Sequence, residues 1–200
     1  MGKAEENKKK KLETLLNTSF ELFTSQGLAK TTISDIVEKA GVAKGTFYLY
    51  FKDKYDIRNR LIAHKSSQLF MQAYESMERK GVKGFENRLI YMMDHVLDEL
   101  AANKGLLAFI YKDLSWAVFK KALTTPMTND DVDFGEVYRR MIEEAEMKFS
   151  DPEMMLFLII ELVGSTGYSS IMYSDPVSLQ DLKPHLEQTV KDRINQYRIE

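Results

Sequence analysis

The sequence contains no cysteine. That excludes disulfides, cysteine nucleophiles and thiolate zinc sites, and it fits a reducing compartment such as the cytoplasm. It has three histidines, at positions 64, 95 and 185, and no two share metal-ligand spacing. Among Asp94, His95, Asp98 and Glu99, helical spacing puts His95 and Asp98 or Glu99 on one face, but nothing supplies a third convergent ligand. They read as a surface ion pair, and no metal is expected. No stretch reaches the roughly 18 consecutive apolar residues of a membrane span. The start, Met1 to Lys11, is charged and does not read as a secretory signal. Gly-rich phosphate loops, nucleophile elbows, repeats and low-complexity tracts are also missing. These absences argue against an enzyme, a cofactor and a membrane location.

What is present is a chain of 200 residues with 44% apolar content, enough to bury a core. Its net charge of −2 is unevenly spread. Residues 1–60 hold 12 Lys and Arg against 8 Asp and Glu, a net of +4. The remainder holds 16 against 22, a net of −6. A basic head on an acidic body suits a head that alone meets an anion such as DNA, although a solvated charge run gives the same count.

Helical periodicity dominates. Leu12, Leu15, Leu16, Ser19, Phe20 and Phe23 form one face of a first helix, which Gly27 ends as a C′ glycine. Thr32 reads as the N-cap of a short second helix, with Asp35 as its capping-box partner. Gly41 breaks that helix, and a third runs from about Ala43 to Leu49. Asp53 caps a long fourth helix to about Arg79. Further helices are expected over about 84–102, 106–123, 134–149, from Pro152 onward, and from 177 to the end. Thr124–Asp133 is the clearest loop. No convincing strand pattern emerges. The expected fold is all-α, with about nine helices.

The segment around Gly41 carries the function. Two short helices joined by a glycine-containing turn have helix-turn-helix geometry, and one helix fits the major groove of DNA. Phe47 and Phe51, four residues apart, anchor the inner face of the third helix. Lys44, Thr46, Tyr48 and Tyr50 then face outward or flank it, where ammonium and hydroxyl groups suit phosphate oxygens. Gly45 permits close backbone approach.

The run from Thr31 to Lys54, together with Glu21-Leu22-Phe23 and Gly27 before it, resembles the DNA-binding signature of the TetR family of transcriptional regulators. The likeness covers about 50 residues and includes both turn glycines. It implies an N-terminal three-helix DNA-binding domain, residues 1–54, and a helical ligand-binding and dimerisation domain, residues 55–200, with helix four (53–79) linking them. It further implies that Thr32 and Ser34 touch phosphate, that Lys44, Gly45 and Thr46 lie at the major groove, and that Tyr48, Tyr50 and Lys54 meet the DNA backbone. Leu49 departs from the aromatic or histidine residue common there, and it can read only apolar surface such as a thymine methyl. Lys8–Lys11 is either a solvated run or a basic arm on the DNA.

Two copies are needed to read a palindromic operator, so a homodimer is expected. The candidate interface comprises Phe157, Ile160, Gly164, Gly167 and Ile171 on the eighth helix, and Leu186, Val190 and Ile194 on the ninth. The same stripes also suit an intrachain core. Met92, Met93, Phe109, Tyr111, Trp116, Phe119, Met141 and Met155 are candidate pocket residues, and equally good core fillers. Glu161 sits alone in an apolar run, facing solvent, a dimer partner or a cationic ligand. The sequence therefore points to a repressor that binds palindromic double-stranded DNA and is released by a small apolar or amphipathic effector. The rival from another class is a helical carrier or enzyme whose head contacts protein.

Overall fold

The computed structural model describes residues 3–111 and 134–199. Among them are nine α-helices and one pair of two-residue strands. The chain divides into two compact units, Met1–Ile62 and Ala63–Glu200.

The first unit holds α1 (Lys3–Ser25), α2 (Ile33–Lys39), α3 (Lys44–Tyr50) and the start of α4 (Lys54–Arg79). The amphipathic face of α1 delivers Leu15, Leu16 and Phe23 to the interior, with Ser19 also buried. Ile36, Phe47, Phe51, Ile57 and Leu61 are almost wholly removed from solvent. The Phe47 and Phe51 rings lie 5.4 Å apart and tilted. Burying each ring contributes about 2–3 kcal/mol. α2 begins on a complete capping box: Asp35 N donates to Thr32 Oγ1 at 3.1 Å, and Thr32 N donates to Asp35 Oδ2 at 2.8 Å. Gly27 and Gly41 have φ of +86° and +64°, left-handed values that an L side chain strains to adopt. Those two turns set the directions of α2 and α3.

The second unit contains the rest of α4, then α5 (Phe85–Ala102), α6 (Lys104–Tyr111), α7 (Phe134–Glu143), β1 (Lys148–Phe149), α8 (Pro152–Tyr173), α9 (Leu179–Tyr197) and β2 (Arg198–Ile199). Asn103 separates α5 from α6: its backbone N–H closes α5, and its side-chain oxygen accepts from Leu106 N at 2.9 Å. Asp151 caps α8 by accepting from Met154 N, with Pro152 in the first turn. α8 packs on α9, α5 and α6 around a continuous apolar core. By length and composition α8 could also cross a membrane, with Glu161 interrupting its apolar run.

Two expectations need correcting here. The seventh helix stops at Glu143 rather than running to Phe149. Lys148 and Phe149 instead pair antiparallel with Ile199 and Arg198. The expected continuation of the sixth helix beyond Tyr111, with Trp116, Phe119 and the loop 124–133, lies outside the described residues.

Candidate nucleic-acid interface and apolar cavity

Helix α3 is held from beneath by Phe47, and its other face is open. Leu49 is 81% exposed and Tyr48 53% exposed. Lys44 and Gly45 are exposed beside them, and Thr46 is half-buried. No heavy atom lies within 4 Å of where a Cβ on Gly45 would sit, so this backbone is open to an approaching surface. Thr32 and Ser34 are exposed at the start of α2. The Thr32 backbone N–H and hydroxyl hold the Asp35 carboxyl below its ordinary range. Tyr55, 56% exposed in the first turn of α4, extends the same kind of surface and was not singled out from the sequence. Its signal was an aromatic ring followed at once by Asp56, whose Oδ2 accepts from Lys52 N and so turns toward the chain.

Tyr50 and Lys54 are differently occupied. The Tyr50 hydroxyl donates to the Lys8 carbonyl at 3.2 Å, which ties α3 to the start of α1. The Lys54 ammonium donates to the carbonyls of Leu28, Ala29 and Thr31 at 2.9, 3.2 and 3.0 Å. Three donors meet three acceptors, so a phosphate contact by Lys54 would cost it these bonds. The amine stitches the α1–α2 connection to α4.

In the second unit, α4, α5, α6 and α8 surround a cavity of about 120 Å³. Of the candidate pocket residues, Met92, Met93 and Tyr111 line it. Phe109, Met141, Met155 and Glu161 do not: Met141 and Met155 are buried in the packed core, Glu161 is half-buried on the flank of α8, and Phe109 is half-buried on α6. Instead the wall is built from Leu89, Val96, Leu97, Leu100, Leu107, Ile110, Leu156, Ile159, Val163 and Ile171, with Ser66, Leu69 and Phe70 from α4. Tyr168 and Tyr111 stack at its edge, centroids 3.6 Å apart. Among the described residues no side chain charged at neutral pH lines the cavity.

The expected dimer residues are placed inward. Ile160, Gly164, Gly167 and Ile171 line the cavity. Leu186, Val190 and Ile194 are 2%, 1% and 0% exposed in the core of the same chain. They cannot also form an outer contact. Phe157 is half-buried between the two faces of α8. The uncovered apolar side of α8 carries Met154, Leu158, Leu162 and Tyr173, 43%, 36%, 38% and 66% exposed. The surface ion pairing found on α5 runs to Lys183 of α9, which reaches Asp98 at 2.7 Å and Asp94 at 3.7 Å. His95 stacks on Tyr91, and no metal-holding cluster occurs among the described residues.

Residues 15–61 match the family model of bacterial regulatory proteins, tetR family. That stretch is similar to the DNA-binding segment of the tetR family. A relative, the uncharacterized HTH-type transcriptional regulator YvdT of Bacillus subtilis (strain 168), is 33% identical over 107 residues. That match spans 52% of this chain and 53% of YvdT, so the chain spans about half the length of that relative. Two solved structures resemble most of the chain in fold. The transcriptional regulator FadR from Bacillus subtilis, in complex with stearoyl-CoA, gives a TM-score of 0.64 at 20% identity, covering 89% of this chain and 96% of that one. FadR from Thermus thermophilus, a TetR family repressor in complex with lauroyl-CoA, gives 0.62 at 18%, covering 92% and 93%. At these identities the likeness concerns the fold.

Proposed function

We propose that the protein is a ligand-responsive transcriptional repressor of the cytoplasm. It binds a palindromic duplex as a homodimer and releases it when a small apolar or amphipathic molecule enters the helical body. The observation that carries the DNA-binding part is the uncovered face of α3. A rigid aromatic core supports it, and it presents Lys44, Gly45, Tyr48 and Leu49 to solvent on a net-basic unit. Lys44 and the hydroxyls of Thr32, Ser34 and Tyr48 suit phosphate and base edges, and Leu49 suits a thymine methyl. Tyr50 and Lys54 act by holding that surface in place.

The apolar side of α8 around Leu158 and Leu162 is the proposed contact between the two copies. Two-fold pairing would repeat α3 at half-site spacing, about 34–36 Å or a multiple. The cavity is the proposed effector site. Its uncharged wall suits a hydrocarbon part, and the acyl-CoA complexes of the two FadR neighbours support that class. α4 supplies Ile57 and Leu61 to the first unit and Ser66, Leu69 and Phe70 to the cavity wall. A ligand that prefers one disposition of this helix shifts DNA binding by its difference in affinity for the two states. The reading is of a binding protein and assigns no catalytic step.

The test is selection of duplexes from a random pool by the full-length protein. An enriched inverted repeat is expected, lost in the double variant K44A/Y48A. Recovery of no common sequence, or the same enrichment with the variant, would refute the proposal.

A further inference from the structure

We propose that the cavity measures an unbranched hydrocarbon chain and that Gly164 sets the length it accepts; this rests on the reading of the cavity as the effector site. The volume is about 120 Å³. That space is bounded, so it accepts a limited length of chain. The wall offers no charged partner among the described residues, so a carboxylate or phosphate drawn inside would lose its hydration without compensation. A polar headgroup therefore stays at the mouth while the chain fills the interior.

Two glycines of α8 line this space and differ in kind. A Cβ on Gly167 would stand 2.6 Å from Leu97 Cδ2, so the gap left by its missing side chain is already filled by leucine. A Cβ on Gly164 would meet nothing within 4 Å. Ile160 and Tyr168, one turn on either side, also line the cavity, so a side chain at 164 projects toward the same interior. The opposite side of the helix is the one bearing Leu158 and Leu162. A glycine within a helix is a poor helix former, and here no neighbour packs into the vacated volume. What it leaves is room for ligand. Each carbon added at position 164 removes space for about one carbon of the occupant.

Isothermal titration of the full-length protein with saturated fatty acids from hexanoic to octadecanoic acid, and in a second arm with the matching acyl-CoA thioesters, tests this. Affinity in the wild type should peak at one chain length and fall on either side of it, and the arm that binds identifies the headgroup. G164A should shift the peak by about one carbon, and G164L by about four, toward shorter chains. G164L should lose at least tenfold for the chain that the wild type binds best and keep its affinity for chains at least four carbons shorter. Alanine is the better helix former, so G164A provides a folded variant even if G164L does not, and helical circular dichroism establishes which variants are folded. Wild-type binding without a length optimum, or an optimum unmoved in a folded variant, would overturn the length gauge and leave the effector site standing. Failure of the wild type to bind any chain in either arm would overturn both.

Discussion

The ammonium of Lys54 has three donors, and three carbonyls of the α1–α2 connection accept them. By residue type and position it resembled a phosphate ligand; the bonds are decided by a loop more than twenty residues earlier, which local sequence does not reveal. K54M should destabilise the protein by about 1–3 kcal/mol in urea denaturation, since carbonyls lose their donors. It should leave the salt dependence of DNA binding unchanged at temperatures where the variant is folded. A salt slope reduced by about one would place Lys54 on phosphate after all. Lys44 behaves oppositely. K44A should cost little stability and should lower the slope by about one for each phosphate contact removed. Leu49 carries no charge, so L49A should alter sequence preference with the slope intact, as read by anisotropy titration on duplexes differing at single positions.

Elements with one apolar face were legible from spacing alone. α1 shows why: its buried positions recur at three and four residues, and solvent occupies the rest. The capping box of α2 was equally plain, because Thr32 and Asp35 act within one turn. T32A should cost about 1 kcal/mol, measured by chemical denaturation. Asp35 adds a sign. Its folded pKa lies below the ordinary 3.8, so its contribution is present above that value and fades as pH falls through the folded one. D35N should flatten this part of the acid limb of a stability–pH curve. α8 was not legible in the same way. It is apolar on both sides, so periodicity cannot tell cavity face from outer face, and Ile160, Gly164, Gly167 and Ile171 were assigned to the wrong one. The β1–β2 pairing escaped notice because a two-residue ladder has no period, and its partners are some fifty residues apart.

In the molecule as a whole, a basic unit proposed to meet DNA is joined to an acidic unit proposed to pair and to sense. The outer stripe of α8 is a large apolar surface for a monomer to leave in water, and a second copy is the proposed cover. L158E/L162E should yield a monomer in sedimentation and lose the gain in affinity that a palindrome has over a half-site. A dimer persisting in that variant would move the interface elsewhere. The basic excess before position 61 and the motif around Gly41 were readable in the sequence; the identity of the cavity wall was not, because fifteen of its side chains are ordinary aliphatic or aromatic residues that any core would use. Only packing distinguishes a lined space from a filled one.

The central claim is that α3 grips duplex DNA in two copies under the control of the body. Titrating the full-length protein onto its selected duplex over a range of salt, with stoichiometry read at saturation and with a bound hydrocarbon ligand then added, tests it most directly. Two chains per duplex, an affinity falling steeply with salt, and release on ligand addition are predicted. Binding of a single chain, an affinity indifferent to salt, or a complex untouched by a ligand shown to occupy the cavity would contradict the account.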